Sequence, residues 1–122
     1  DRRENIRRVA EIARIILNSN VMVICAFISP TINLRQLAKR IIGKKYFIEV
    51  FLDTPLDICI KRDPKGLYKK ALGGEIRNFT GLYAPYESPV NPAMEIKTNR
   101  LNPELCITKI IKYLRINPGI TI

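Results

Sequence analysis

Apolar and polar residues follow two different periods along this 122-residue chain. Near its start, Ile6, Val9, Ala10, Ala13, Ile16 and Leu17 recur every three or four positions. That spacing places them on one helical face and predicts a helix over residues 3–19. Asp1 followed by Glu4 has the form of a capping box at its start, and Asn18-Ser19-Asn20 stops it. Residues 21–27 change character to a nearly continuous apolar, β-branched run. Such a run predicts a strand buried on both faces of a parallel sheet, ended by Ser29-Pro30. Helical spacing returns over residues 33–42, with Leu34, Leu37, Ala38 and Ile41 on the apolar side. Gly43-Lys44-Lys45 makes a turn, and residues 46–52 predict a second buried strand.

Asp53-Thr54-Pro55 forms a strand-to-helix corner, with Thr54 as the expected cap and Pro55 at the first helical position. A short helix over 56–62 follows. A last helix spans 103–115, opened by Asn102 and Pro103, with Leu105, Cys106, Ile110 and Leu114 turned inward. Strand, helix, strand, helix with short links specifies a βαβ unit, hence an α/β fold with a parallel sheet. Only two strands are legible, so the expected sheet is incomplete, and its missing strands are expected before Asp1.

Between the second strand and the last helix lies Lys65-Gly66-Leu67-Tyr68-Lys69-Lys70-Ala71, continuing through Phe79-Thr80-Gly81-Leu82-Tyr83-Ala84-Pro85-Tyr86-Glu87-Ser88-Pro89. A connection this long in one small domain is characteristically a functional lid. We place it at about residues 63–90 of a single domain covering 1–122. Lys65, Lys69 and Lys70 offer point charges to an anion, with Lys65 and Lys69 expected on one helix face. Phe79 offers a flat surface, and Gly66, Gly73, Gly74 and Gly81 offer hinges. A floppy basic surface loop is the plainer alternative, although such loops seldom hold so many aromatic rings.

Charge and composition narrow the partners. With 21 basic against 11 acidic residues, the net charge of +10 favours anionic ligands: nucleotides, nucleic acid or anionic lipid. The charge is spread along the chain, as surface solubility alone also requires. No basic tail and no arginine–aromatic interleaving marks a nucleic-acid binder, which would bind any DNA with strong salt dependence. The longest uncharged stretch, from Ile15 to Leu34, is broken by Asn18, Ser19, Asn20, Ser29 and Pro30, so no membrane span is expected. No apolar leader follows Asp1. The absence of histidine excludes imidazole catalysis and His-ligated metal. Cys25, Cys59 and Cys106 lie in apolar surroundings without CxxC spacing, and are expected to be buried free thiols in a reducing cytoplasm.

Four segments carry candidate chemistry. In Asp1-Arg2-Arg3-Glu4-Asn5-Ile6-Arg7-Arg8, guanidiniums suit phosphate or sulfate and an amide suits a base or ribose edge. A solvated face with Glu4 and Arg8 paired at i, i+4 explains the same residues. In Ala26-Phe27-Ile28-Ser29-Pro30, a hydroxyl stands at the end of an expected strand, where α/β sheets bind ligands; a turn-forming serine fits equally. Arg62 ends a helix before the lid, either as a dipole partner or as a planar cation for a purine. The fourth segment is the lid itself.

Together these strings resemble the adenylylsulfate kinase (APS kinase) family. Asp1 to Arg8 is very similar to its DRxENIRR motif, and Phe27 to Pro30 matches FISP. Lys65 to Gly81 follows KGLYxxAxxGxIxxFTG. After Pro30, Thr31-Ile32 stand where the family commonly has Tyr-Arg, while Arg35 matches a later family arginine. The resemblance covers nearly the whole chain and implies a P-loop kinase-like sheet with flanking helices and a lid. It implies phosphoryl transfer from MgATP to the 3′-hydroxyl of adenylylsulfate, giving PAPS. By match, Arg2, Asn5, Ile28, Ser29, Lys65, Phe79 and Thr80 bind adenylylsulfate, Ser29 is the candidate catalytic residue, and Arg62 meets the adenine of ATP. It allows a homodimer and implies neither a nucleic-acid nor a membrane partner. The phosphate cradle GxxxxGK(S/T), whose hydroxyl holds Mg²⁺, does not occur in these 122 residues: Gly43-Lys44-Lys45 lacks both the upstream glycine and the hydroxyl. The acidic DGDNxR string is absent too. The expected N-terminal strand and P-loop are therefore outside this chain, which is either part of a working kinase or a nucleotide-binding module without catalysis.

Overall fold

The computed structural model describes residues 1–117. It begins with helix α1 (Arg2–Leu17), whose start is held by Asp1, its carboxylate accepting from the Arg3 N–H at 2.9 Å. The reciprocal half of the expected capping box does not form. Glu4 instead accepts from Arg7 at 2.8 and 2.9 Å and from Arg8 at 2.9 Å, because two guanidiniums on the next turn outcompete one backbone N–H. Ile6, Ala10 and Ala13 form the buried stripe, and α1 packs against α2 (Ile32–Ile42). Thr31 caps α2 through the Leu34 N–H. Gly43 ends it at φ +100°, a conformation that favours glycine.

The sheet has two parallel strands among the described residues: β1 (Val50–Asp53) and β2 (Met94–Lys97). They pair Val50 with Met94 through Asp53 with Lys97. Ile96 is fully buried there. Between the strands lie α3 (Leu56–Arg62) and α4 (Leu67–Leu72), and α5 (Pro103–Ile116) closes the described chain. Asn102 caps α5 at the Leu105 N–H, with Pro103 in the first turn as expected.

Three expectations about the sheet are corrected. Residues 21–27 join no ladder. Neither β1 nor β2 runs alongside them, so their backbone has no strand to pair with. Most of their side chains are bare: Ile24 is 89% exposed and Phe27 52%. Second, the parallel partner of β1 is β2, a four-residue segment with alternating rather than continuous burial. The crossover thus runs through residues 54–93 instead of a short link. Third, Tyr46 lies in the turn after α2, and the ladder begins only at Val50.

The corner after β1 also differs. Pro55, not Thr54, occupies the cap position of α3 and makes no side-chain cap bond. The Thr54 hydroxyl is drawn to that of Thr98 across the sheet end. The cysteines are free, but they are not all buried. Cys25 is exposed on the unpaired stretch, and Cys59 and Cys106 are half-covered. No described helix is long and apolar enough to cross a membrane.

Candidate functional site

The start of α1 meets the lid. The Arg2 guanidinium donates to the backbone carbonyl of Asn78 at 3.4 Å. Asn78 has φ +58°, a left-handed conformation that asparagine tolerates, and it turns the chain into Phe79. The Phe79 carbonyl then accepts from the N–H groups of Leu82, Tyr83 and Ala84, and Gly81 N–H donates to Ala84 at 2.8 Å. Gly81 has φ +89°, which this knot requires. The Tyr83 hydroxyl fastens the knot to α4 through the Ala71 carbonyl at 3.2 Å. The Phe79 ring is half-buried edge-on against Tyr68, with centroids 4.9 Å apart. Arg2 therefore lies one residue away from a supported aromatic platform. Asn5 is exposed one turn further along α1. Thr80 is half-buried inside the knot and bridges to Ala84.

The other end of the lid is held by Asp63. Its carboxylate accepts from the N–H groups of Tyr68 at 3.0 Å and Lys69 at 2.9 Å, covering orphan donors at the start of α4. Partial burial pushes this carboxyl up, but the bonds from Lys69, Tyr68 and Leu67 outweigh it and hold it below its ordinary value. Lys65 precedes α4, in the turn closed by the Gly66 N–H on the Asp63 carbonyl. The expected helical face shared by Lys65 and Lys69 is therefore not formed, because Gly66 at φ +64° breaks the helix between them. Lys65 is exposed.

Ile28 and Ser29 stand at a second cluster. Ile28 is 67% exposed and Ser29 is half-buried. The Ser29 carbonyl, not its hydroxyl, accepts from Arg35 Nη1 at 2.6 Å. Arg35 is 7% exposed. Its Nη2 donates to the Glu87 carbonyl at 2.5 Å, and its Nε lies 2.9 Å from Glu49 Oε1, an ion pair not aligned as a hydrogen bond. Its charge faces the Tyr86 ring at 5.7 Å. Burial pushes the Tyr86 phenol up, against the opposing pull of Arg35.

Arg62 is held elsewhere, donating to the Thr98 hydroxyl at 3.1 Å and carbonyl at 2.8 Å beyond the end of β2. A hollow of about 280 Å³ lies beside Arg35, lined in part by Gln36, Lys39, Glu49 and Val90. None of the expected site residues lines it, and its mixed charges do not select an anion. Among the described residues no group of acidic or cysteine side chains is gathered as for a metal.

The structure thus joins Arg2 to the Phe79 platform, and Ser29 to the lid exit through Arg35. It leaves Lys65 and Arg62 outside both clusters. Sequence reasoning missed Asp63, Tyr68, Asn78 and Glu87 as organisers. Only Asp63, an acidic residue shortly before a helical stretch, carried a usable signal.

The family model for adenylylsulphate kinase matches residues 1–97. The chain is similar to the adenylyl-sulfate kinase of Pseudomonas aeruginosa, with 51% identity over 96% of this chain and 60% of that protein. It is similar to the adenylyl-sulfate kinase of Clostridium acetobutylicum, at 48% identity over 94% of this chain and 57% of the relative. Among solved structures, the Mycobacterium tuberculosis APS kinase in complex with AMPPNP and APS superposes with a TM-score of 0.88 at 38% identity, over 93% of this chain and 66% of that one. The chain therefore spans roughly three fifths of the length of the curated relatives named here. A match over residues 1–97, close relatives in two bacteria and a shared fold agree, and the chain belongs to the adenylylsulphate kinase family.

Proposed function

We propose that this chain forms the acceptor side and lid of an adenylylsulfate kinase. In the intact protein, the γ-phosphoryl of MgATP moves to the 3′-hydroxyl of adenylylsulfate, giving PAPS. The observation that carries this proposal is the Arg2–Asn78 bond, which ties a cation to the backbone one residue before Phe79, whose ring is held edge-on by Tyr68. A cation next to a flat apolar face suits a compound that is both a sulfated anion and a purine.

In this reading Arg2 and Lys65 neutralise the anion, Asn5 reads a polar edge, and Phe79 stacks on the adenine. Ile28 walls the pocket, Thr80 supports the ring, and the Ser29 hydroxyl faces the acceptor. Arg62 packs on the adenine of ATP, its guanidinium held by Thr98. Direct in-line transfer needs positioning and charge neutralisation but no covalent enzyme intermediate. Among the described residues no acidic set is gathered, and no GxxxxGK(S/T) occurs in the sequence, so groups that would hold Mg²⁺ are not among them. The free thiols support a reducing cytoplasmic setting. A homodimer is proposed on the family likeness alone.

The absence of the phosphate cradle from these 122 residues favours one rival, a nucleotide-binding module without catalysis. A coupled assay of the intact protein with ATP and adenylylsulfate, beside calorimetric titration with adenylylsulfate, separates the two. Phe79→Ala should weaken adenylylsulfate binding by about 1–3 kcal/mol, the worth of one base–aromatic stack. Adenylylsulfate binding without any PAPS formation would leave the rival standing.

A further inference from the structure

Two segments far apart in sequence are stitched together at three points. The Glu87 N–H donates to the Pro30 carbonyl at 2.7 Å, and the Ile32 N–H donates to the Glu87 carboxylate at 2.6 Å. Arg35 binds the Ser29 carbonyl with one terminal nitrogen and the Glu87 carbonyl with the other. Its remaining nitrogen meets Glu49, just before β1, and its face meets Tyr86, which in turn stacks on Phe51 of β1.

Every contact of Arg35 uses a feature of guanidinium that an ammonium lacks. The planar fork spans two carbonyls, a third donor faces a carboxylate, and a flat cation lies over a ring. A merely solubilising arginine would be exposed, and a merely structural ion pair would need only Glu49. Here the charge is buried, and it is spent on the backbone of two loops that no secondary structure connects.

We infer that Arg35 and Glu87 form a clasp that fixes the exit of the lid against the Ile28–Ser29 turn. Arg35 is then a positioning residue for acceptor binding, acting through the Ser29 backbone rather than touching the ligand. The clasp sets where the lid closes: its C-terminal end stays anchored, and movement is confined to the part nearer Phe79. The link to acceptor binding rests on the function proposed above; the clasp itself does not.

The test uses the intact protein with Arg35→Lys, which keeps the charge but not the fork, and Glu87→Ala, an exposed position that cannot threaten the core. Hydrogen exchange read by mass spectrometry should rise in peptides covering 78–90 and stay unchanged in those covering 94–97 and 103–116. In steady-state kinetics, Arg35→Lys should raise the KM for adenylylsulfate about tenfold, the size of one lost charge-assisted hydrogen bond, with the KM for ATP shifted less than about twofold. Unchanged exchange over 78–90 in both variants would overturn the clasp. Equal rises in both KM values, accompanied by a fall in Tm, would reduce Arg35 to a structural residue. A wild-type protein that never uses adenylylsulfate would sink the proposed function, while hydrogen exchange still decides the clasp.

Discussion

The Tyr68–Phe79 contact lets the rigidity of the lid platform be measured. The rings meet edge to face, 4.9 Å between centroids and 64° between planes. Aromatic pairs in this geometry contribute about 0.5–1.5 kcal/mol beyond the area they bury. Replacing one ring by leucine keeps much of the apolar area and removes the ring–ring term. A cycle of wild type, Tyr68→Leu, Phe79→Leu and the double variant should therefore give a coupling of about 1 kcal/mol in urea unfolding. If Phe79 is the stacking surface for adenine, Tyr68→Leu also weakens adenylylsulfate binding. The loss should not exceed about tenfold, because Tyr68 acts only through the orientation of its neighbour. Additivity within about 0.3 kcal/mol would refute the reasoning, since it would mean the two rings do not stabilise each other. A loss from Tyr68→Leu as large as that from Phe79→Ala would refute it differently, by making Tyr68 the ligand contact.

Other outcomes follow from single features. Ile96→Ala should cost about 2–5 kcal/mol by thermal or urea unfolding, and Ile96→Val about 0.5–1.5, because Ile96 is fully buried in β2. Asp63→Ala uncaps α4 and should destabilise it by about 1 kcal/mol, seen as faster hydrogen exchange over 67–72 before any global unfolding. Since the Asp63 carboxyl is lowered in the folded state, its contribution is present above the unfolded value and fades as pH falls through the folded one. Glu4 obeys the same sign. Hydrogen bonds from Arg7 and then Arg8 lower its carboxyl from 4.5 to about 2, so its support of α1 is complete above 4.5 and disappears as pH drops through about 2. A carboxyl NMR titration of Glu4 with a midpoint near the ordinary glutamate value would show that the two arginines do not hold it.

The helices were the most legible part of this chain, because their information is local. The stripe Ile6, Ala10 and Ala13 is buried as its spacing requires, and Asn102 caps the last helix as its position suggests. The sheet was legible only in part: its parallel pairing and the strand that became β1 were expected, but the partner strand was not, for a physical reason. Residues 21–27 announce apolar side chains that need cover, but an apolar run cannot say which strand will lie beside it. Met94–Lys97 is only one four-residue alternation, and its partner lies more than forty residues earlier. The site divides the same way. The identities of Arg2, Ser29 and Phe79 could be matched to motifs, yet the bonds that place Arg2 and Ser29 end on the carbonyls of Asn78 and Ser29 itself. Backbone acceptors occur at every residue, so no side-chain pattern marks the ones that are used. Lys65 shows the opposite failure: its spacing to Lys69 was correct for a helix, and one left-handed glycine removed the helix from beneath it.

The bare stretch around Ile24 and Ile28 has a practical consequence at the bench. Produced by itself, a polypeptide that offers water a ribbon of isoleucine, valine and phenylalanine with no backbone neighbour is adhesive. It should collect in inclusion bodies, bind chaperones during expression, and gain solubility when another polypeptide supplies a strand to lie along it. Sedimentation of the 122-residue chain, with and without such a companion, would test this.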